Sequence, residues 1–271
     1  MHTAAQFCKL LVNNLEKLDI HIIENKRIYF LSDLHLGAPN YINSLAREKK
    51  IIQFFDLIKQ DAQAVFLVGD TFDFWFEYQQ VIPKGYVRFF AKLMELKESG
   101  IDIHIFVGNH DLWLKDYLQQ EIGAIIHHQK IEIQNNKKHF LVAHGDGLGP
   151  GDLKYKILKK IFTNPICQWL FRWLHPDIGI KIAQLWSRHS FTDPSVEVFH
   201  GEDKEWLIQY CKRKLTEKHF DYFIMGHRHL PMEITLQNNS KYINLGDWIV
   251  NNSYAVFDGN EMKLNKFDDR Q

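Results

Sequence analysis

Short apolar runs, each ending in a loop that carries Asp, Asn or His, recur through the chain and constrain its fold more than any other feature. These runs occupy residues 27–33, 64–70, 101–108, 139–143 and 220–225. Their composition predicts buried strands, and apolar residues at helical spacing in residues 46–59 and 84–99 predict helices between them. This alternation predicts an α/β fold with helices layered on a sheet. A polar helix is expected over residues 4–19, and a peripheral tail from Asn260.

The polar residues that follow these runs are of the types that bind metal ions. Ligands meet at the carboxyl ends of strands in open α/β sheets, so groups distant in sequence are expected to converge there. Carboxylate, imidazole and amide groups suit divalent ions such as Mn²⁺, Fe²⁺ or Zn²⁺. The candidate ligands are Asp33, His35, Asp70, Asn109, His144, His227 and His229.

Seven candidate ligands are more than one ion needs, and they suit two ions if one carboxylate bridges them. Asp70 is the natural bridge. A single Asp-x-His or Gly-Asp pair is better explained as an ordinary turn. The ordered series, with a glycine beside a ligand at positions 69, 108, 145 and 226, is not explained in that way.

The composition changes in residues 152–190, which are expected to be helical. This segment contains seven basic and two acidic residues, a net charge of +5. Its aromatic residues are Tyr155, Phe162, Trp169, Phe171, Trp173 and Trp186. We interpret it as a helical cap inserted at about residues 150–200 into a single domain of residues 1–271. Packing against the core explains the aromatics equally well, and the basic residues suit either a solvated helix face or anionic headgroups.

The charge balance argues against a nucleic-acid-binding chain, since Lys plus Arg and Asp plus Glu both number 33. No apolar run approaches the roughly 20 residues that span a bilayer, so we expect at most peripheral membrane contact. The three cysteines form no Cys-x-x-Cys pair, and the N-terminus carries no secretory signal pattern. A cytoplasmic location is therefore expected, with contact to the inner face of the cytoplasmic membrane allowed.

The ordered motifs resemble those of the calcineurin-like metallophosphoesterases. They are Asp-Leu-His at 33–35, Gly-Asp-Thr-Phe-Asp at 69–73, Gly-Asn-His-Asp at 108–111, His-Gly-Asp at 144–146 and Gly-His-Arg-His at 226–229. The resemblance implies a four-layer α/β/β/α sandwich with a dinuclear site, usually supplied with Mn²⁺. It implies one ion held by Asp33, His35, Asp70 and His229, and another held by Asp70, Asn109, His144 and His227.

The same resemblance leaves His110 without a metal and implies that it is catalytic and faces the substrate phosphate. An imidazolium there would stabilise developing charge or protonate a leaving oxygen. A structural explanation is a hydrogen bond between His110 and a nearby carboxylate, either Asp73 or Asp111. The two explanations are compatible, because a catalytic histidine needs such a partner for its orientation.

Within this family the chain looks like the UDP-2,3-diacylglucosamine pyrophosphatases, or hydrolases, of lipid A biosynthesis. The resemblance rests on Ser-Asp-Leu-His-Leu-Gly at 32–37, Gly-Asp-Thr-Phe-Asp-Phe-Trp at 69–75, Gly-Asp-Trp at 246–248 and the cap. It implies hydrolysis of UDP-2,3-diacylglucosamine to UMP and 2,3-diacylglucosamine 1-phosphate. A basic and aromatic cap would suit this amphiphilic nucleotide-sugar lipid, because cations attract the pyrophosphate and aromatic groups cover the acyl chains.

Six residues are candidates for contact with this substrate. They are Asn109, His110, Asp152, Tyr155, Arg188 and Ser190. The spacing of Asp152 and Tyr155 after His144 resembles substrate-contacting positions in the lipid A enzymes. A helix N-cap explains Ser190, and a surface ion pair explains Arg188, at least as well as substrate contact does.

Two other functions stay open. The best-known proteobacterial enzymes of this activity carry Arg where this chain has His110, so a metallophosphoesterase acting on another nucleotide or phosphodiester is the alternative. A non-catalytic scaffold on the same fold would show eroded ligands, whereas all seven are present here. Neither a nucleic-acid partner nor an obligate protein partner is expected.

Overall fold

The computed structural model describes residues 15–135, 138–149, 153–191 and 198–268. Within these ranges the chain forms, in order, β1 (Glu16–Asp19), β2 (Arg27–Leu31), α1 (Tyr41–Ile58), β3 (Ala62–Val68), α2 (Val87–Glu98), β4 (Asp102–Phe106), α3 (Tyr117–Ile122), β5 (Ile125–His127), β6 (Ile131–Asn135), β7 (Lys138–Ala143), α4 (Leu153–Phe162), α5 (Pro165–Arg172), α6 (Pro176–Phe191), α7 (Trp206–Glu217), β8 (Tyr222–Met225), β9 (Met232–Thr235), β10 (Lys241–Asn244), β11 (Ser253–Phe257) and β12 (Met262–Lys266). The five predicted runs are the strands β2, β3, β4, β7 and β8.

The strands form two six-stranded sheets. The first has the order β12-β11-β2-β3-β4-β5, and the second has the order β1-β6-β7-β8-β10-β9. Strands β2, β3, β4 and β5 run parallel to one another in the first sheet, as do β7, β8 and β10 in the second. The loops that follow parallel strands open at one edge of a sheet, which is where ligands bind in folds of this kind.

The two sheets pack face to face, and helices cover their outer faces. Successive residues of a strand face opposite sides of a sheet. On β2, Phe30 packs in the core between the sheets, whereas Leu31 packs in the core beneath α1 and α2. Leu141 of β7 packs with Leu207 of α7 on the outer face of the second sheet. The resulting order of layers is α/β/β/α, which confirms the predicted fold class.

Both terminal segments differ from the expectation. Residues 1–14 lie outside the described ranges, but Glu16–Asp19 is the strand β1, paired in parallel with β6, and not the end of a helix. Its polar sequence reflects a strand at a sheet edge, where most side chains meet solvent. The tail from Asn260 contributes β12, which pairs antiparallel with β11 and buries Met262 between the sheets.

The helices predicted for residues 152–190 are present as α4, α5 and α6. Asn164 caps α5 by accepting hydrogen bonds from the backbone of Ile166 and Cys167, and Pro165 occupies the first helical position, where its missing N–H is not needed. That this segment is a cap within one domain of residues 1–271 stays a prediction. In chain order it lies between β7 and α7.

A buried histidine pair joins the two sheets at one edge. The ring of His104 on β4 stacks between those of Phe66 and His127, at centroid distances of 4.2 and 5.2 Å. Nδ1 of His104 lies 2.9 Å from Nε2 of His127, and Nδ1 of His127 lies 3.2 Å from a carboxylate oxygen of Glu16 on β1. Burial, with the nearby charge of His127, lowers the pKa of His104 to about 3.

Because His104 is buried against His127, we expect the protein to lose stability in mild acid. A histidine in the unfolded chain has a pKa of about 6.5. Below that pH the unfolded chain binds a proton at His104, whereas the folded chain does not. The contribution of neutral His104 to the free energy of unfolding is fully present above pH 6.5 and decreases as the pH falls, by about 2 kcal/mol at pH 5. We expect His104→Gln to reduce the difference in unfolding free energy between pH 7 and pH 5 by this amount, measured by urea denaturation.

The matched control is His219→Gln, which replaces a half-exposed histidine on the loop after α7. This variant should keep the difference between the two pH values seen in the unmodified protein. An equal loss at pH 5 in His104→Gln and in the unmodified protein would contradict the assignment of acid sensitivity to the buried pair.

Candidate metal centre

The candidate ligands lie in the loops at the carboxyl ends of β2, β3, β4, β7 and β8. Ten described non-glycine residues have a positive φ, and five of them are candidate ligands: Asp33, His35, Asp70, His227 and His229. The left-handed region is unfavourable for residues with a Cβ, and such strain is concentrated at functional sites. The sharp turns after the strands are therefore a further indication of function.

One group of ligands consists of Asp33, His35 and His229. The Nε2 atoms of the two histidines are 3.2 Å apart. Oδ1 of Asp33 lies 3.2 Å from Nε2 of His229 and 3.7 Å from Nε2 of His35. Two imidazole nitrogens and a carboxylate oxygen therefore converge on one point, as the ligands of a single divalent ion do.

The second group consists of Asp70, Asn109, His144 and His227. Nε2 of His144 lies 3.3 Å from Oδ2 of Asp70 and 3.2 Å from Oδ1 of Asn109. Asp70, His144 and His227 each offer a ligand atom within 4.8 Å of the other two. This group again combines carboxylate, amide and imidazole donors.

Asp70 lies between the two groups. Its Oδ2 atom is 3.7 Å from Nε2 of His35 in the first group and 3.3 Å from Nε2 of His144 in the second. Its Oδ1 atom accepts a hydrogen bond from the backbone N–H of His110 at 2.9 Å. Asp70 is therefore close to both groups of candidate ligands.

The electrostatics of the centre favour added positive charge. Burial opposes protonation of His35, but the carboxylates of Asp33, Asp73 and Asp70 outweigh it and raise the pKa of His35 to about 10. Burial is likewise outweighed at His144, where Asp70 raises the pKa to about 10. The pKa of Asp33 is held well below its usual range because His229 outweighs the effect of burial. Buried carboxylates here therefore depend on neighbouring cations, which divalent ions would supply.

One buried atom tests directly whether the residues fit a metal. Oδ1 of Asp33 is buried and forms no hydrogen bond to any described residue. Its other oxygen, Oδ2, accepts hydrogen bonds from the Ser32 hydroxyl at 2.5 Å and from the His227 backbone at 2.9 Å. A buried oxygen without a hydrogen bond is costly, and a cation held with His35 and His229 would compensate it. The residues present therefore fit a divalent ion.

Neighbouring groups orient the ligands. Nδ1 of His144 lies 2.9 Å from the carbonyl oxygen of Val68, so this nitrogen donates and Nε2 faces the centre. Close backbone approach is needed at Gly226, where a Cβ would overlap the hydroxyl of Ser32 and lie 2.5 Å from Oδ2 of Asp33. A side chain at this position would therefore displace a ligand.

His110 lies at the edge of the centre with its ring against His35, at a centroid distance of 4.7 Å. Its Nδ1 atom is 3.1 Å from the carbonyl oxygen of Asp73 and 3.6 Å from Oδ1 of the same residue. Burial lowers the pKa of His110, against the effect of Asp70. Of the two carboxylates considered from the sequence, Asp73 is therefore the one beside the imidazole.

Asp111 has a different role. Its carboxylate accepts hydrogen bonds from the backbone of Thr71, Phe72 and Gly108, so it joins the loops after β3 and β4. Burial, followed by the charge of Asp70, raises the pKa of Asp111 to about 7. This residue supports the centre through the backbone.

The candidate substrate-contacting residues are only partly placed. Asn109 and His110 are at the centre, whereas the hydroxyl of Tyr155 donates a 2.5 Å hydrogen bond to Asp146. Asp152 lies outside the described residues. Arg188 and Ser190 belong to α6, but their side chains lie outside the part of the chain that the structure describes.

Sequence reasoning missed several residues that support the centre. Arg47 is buried and donates hydrogen bonds to the carbonyl oxygens of Leu34, His35 and Ala38, which fixes the first ligand loop. Its position on the apolar face of α1 was a usable signal, because a charged residue there needs a buried partner. Ser187, on α6, has no such signal.

Comparison with known proteins agrees with this centre. Residues 26–231 match the family described as calcineurin-like phosphoesterase. A Porphyromonas gingivalis protein named UDP-2,3-diacylglucosamine hydrolase is 35% identical over 263 residues, which cover 90% of this chain and 99% of that protein. A protein of the same name from Actinobacillus succinogenes is 28% identical, and the match covers 82% of this chain and 92% of that protein. Another, from Haemophilus ducreyi, is 29% identical, and the match covers 81% of this chain and 91% of that protein.

The matched range contains every loop that carries a candidate ligand, from Asp33 to His229. Its extent and the identity with the Porphyromonas gingivalis protein exceed what a shared motif alone would give. The chain therefore belongs to the calcineurin-like phosphoesterase family.

Proposed function

We propose that this chain hydrolyses the pyrophosphate bond of UDP-2,3-diacylglucosamine, releasing UMP and 2,3-diacylglucosamine 1-phosphate. The observation that most supports a metal-dependent hydrolase is the position of Asp70 between two groups of nitrogen and oxygen donors. The substrate is taken from the relatives named UDP-2,3-diacylglucosamine hydrolase, which match nearly their full length. The reaction belongs to lipid A biosynthesis.

The protein uses divalent metal ions, and we propose two Mn²⁺ ions as the native pair. Asp33, His35, Asp70 and His229 would hold one ion, and Asp70, Asn109, His144 and His227 the other. When bound, two such ions would lower the pKa of an attacking water and neutralise charge on the phosphoryl oxygens. The mixture of imidazole, carboxylate and amide donors supports Mn²⁺ over ions that require thiolates.

The chain's own residues would bind and polarise the phosphoryl group. His110 is positioned through Nδ1 by the carbonyl oxygen of Asp73, and its ring contacts that of His35 at the centre. An arriving phosphate would oppose the effect of burial on the pKa of His110, because opposite charge favours the imidazolium. A protonated His110 then stabilises charge on the phosphoryl oxygens or protonates the leaving oxygen.

The helices α4 to α6 supply a surface for the lipid part of the substrate. Exposed apolar residues line these helices: Ile157, Ile161, Ile166, Trp169, Leu170, Trp173, Ile178, Ile182 and Leu185. A monomeric protein rarely exposes so many apolar side chains together unless they meet a ligand, a membrane or another chain. We propose that this apolar cap surface contacts acyl chains and rests on the membrane.

The proposed reaction predicts metal-dependent release of two products. UDP-2,3-diacylglucosamine in mixed micelles with Mn²⁺ should yield equal amounts of UMP and 2,3-diacylglucosamine 1-phosphate, and EDTA should abolish both. Mass spectrometry of the reaction would measure the products. If this substrate stays intact while bis(p-nitrophenyl) phosphate is cleaved, the alternative of another phosphodiester substrate replaces it.

Removal of the bridging carboxylate should remove metal and activity together. Asp70→Ala deletes a donor shared by both groups, so we expect bound Mn²⁺ to fall by at least one ion per chain and kcat to fall at least a thousandfold, by roughly the 4 kcal/mol that such charge stabilisation supplies. Metal content and steady-state rates would measure this. Asp56→Ala is the control, because it removes an exposed carboxylate on α1 that pairs with Lys92.

In the described part of the chain, no helix has the length and apolar composition to cross a bilayer. Trp169 and Trp173 are 55% and 74% exposed. Burial of one such side chain is worth about 1.5 kcal/mol or more, which is about tenfold in affinity. We expect Trp169→Ser with Trp173→Ser to weaken binding to phosphatidylglycerol-containing vesicles at least tenfold.

Sedimentation with vesicles would measure this binding. Ile42→Ser is the matched control, since Ile42 is 76% exposed on α1, outside the cap. Vesicle binding that is unchanged in the double variant, or equally weakened in Ile42→Ser, would exclude the cap surface as the membrane contact.

A further inference from the structure

One side chain of the cap reaches the catalytic centre. Ser187 on α6 is only 3% exposed, and its hydroxyl donates a 2.5 Å hydrogen bond to Oδ1 of Asp73. The same hydroxyl oxygen is 3.4 Å from Nδ1 of His110. Ser187 is therefore in contact with both the imidazole proposed to face the phosphate and the carboxylate beside it.

Asp73 connects three groups through one oxygen. Its Oδ1 atom accepts the hydrogen bond from Ser187, and it lies 3.6 Å from Nδ1 of His110 and 3.8 Å from Nδ1 of His35. The direction of this carboxylate is therefore fixed by a donor on the cap.

The packing of α6 against the core places Ser187 beside Asp73 and His110. Gly179 is buried two helical turns before Ser187, and a Cβ there would lie 2.5 Å from the hydroxyl of Tyr78 and 3.1 Å from Phe171. Positions 179, 183 and 187 recur every four residues and therefore share one face of the helix. The close approach at Gly179 and the hydrogen bond at Ser187 fix this face against the loop that follows β3.

We propose that Ser187 is a positioning residue that couples the seating of the cap to the orientation of His110. The hydroxyl fixes Oδ1 of Asp73 and itself lies 3.4 Å from Nδ1 of His110, which is also held at 3.1 Å by the backbone carbonyl oxygen of Asp73. The position of α6 therefore contributes to the direction of the imidazole. A charge-assisted hydrogen bond of this kind is among the stronger ones in proteins. The coupling rests on the proposed role of His110 in the hydrolase, and it adds a cap residue to that role.

The test compares Ser187→Ala with Ser187→Thr on two substrates. UDP-2,3-diacylglucosamine carries acyl chains that contact the cap, whereas bis(p-nitrophenyl) phosphate carries none. If Ser187 acts through His110, Ser187→Ala lowers kcat on both substrates about tenfold with little change in KM. Ser187→Thr keeps the hydroxyl and restores most of the rate. Thr163→Ala, which removes an exposed hydroxyl of the cap, is the matched control.

A readout apart from activity separates positioning from a structural role. Bound metal and melting temperature should be the same in Ser187→Ala and the unmodified protein, while long-range nitrogen NMR should show altered ring nitrogen shifts of His110. A double-mutant cycle with Asp73→Asn should show non-additive effects on kcat, because the two side chains act in one chain of contacts.

Three results would overturn the proposal. A raised KM for the acylated substrate alone would make Ser187 a lipid contact. A lowered metal content would make it a structural support of the centre, and an unchanged kcat on both substrates would remove it from the mechanism. Because bis(p-nitrophenyl) phosphate reports the effect by itself, the proposal stands or falls even if UDP-2,3-diacylglucosamine is not the substrate.

Discussion

Burial of two carboxylates at the ends of adjacent strands is the constraint on which the rest of the centre depends. Strands β2 and β3 are parallel neighbours, so the residues that follow them, Asp33 and Asp70, must lie side by side. Both are buried, and the desolvation of such anions costs several kcal/mol each unless positive charge surrounds them. The histidines after β2, β7 and β8 meet this demand, and the pKa values of His35 and His144 are raised accordingly.

Much of the fold was predictable because its strands are local patterns. The runs that became β2, β3 and β4 are mostly apolar and buried, as expected of strands covered on both faces. The strands at the sheet edges gave no such pattern. Glu16–Asp19 exposes most of its side chains, and β12 buries only its first residue, Met262. Backbone pairing with a neighbouring strand is therefore what identifies them as strands.

The candidate ligands were predictable for a related reason, since each lies in the loop that follows a strand. Four of them, Asp70, Asn109, His144 and His227, also stand beside a glycine. The groups that orient them were not predictable, because the contacts are made across the fold. The side chain of Asn251, for example, donates a hydrogen bond to the carbonyl oxygen of His229 and another to Asp247. The choice between Asp73 and Asp111 as the partner of His110 likewise needed coordinates. Ser187 carries no local pattern at all.

The positive φ values of the candidate ligands affect which variants survive a selection for stability. Each left-handed residue with a Cβ costs roughly 1 kcal/mol relative to glycine, and five candidate ligands adopt this conformation. Glycine would relax the backbone at Asp33, His35, Asp70, His227 or His229, but it would delete a donor each time. Thermal stability and the metal centre are therefore opposed at these positions. A screen of random variants for heat resistance alone would enrich sequences that have lost the centre.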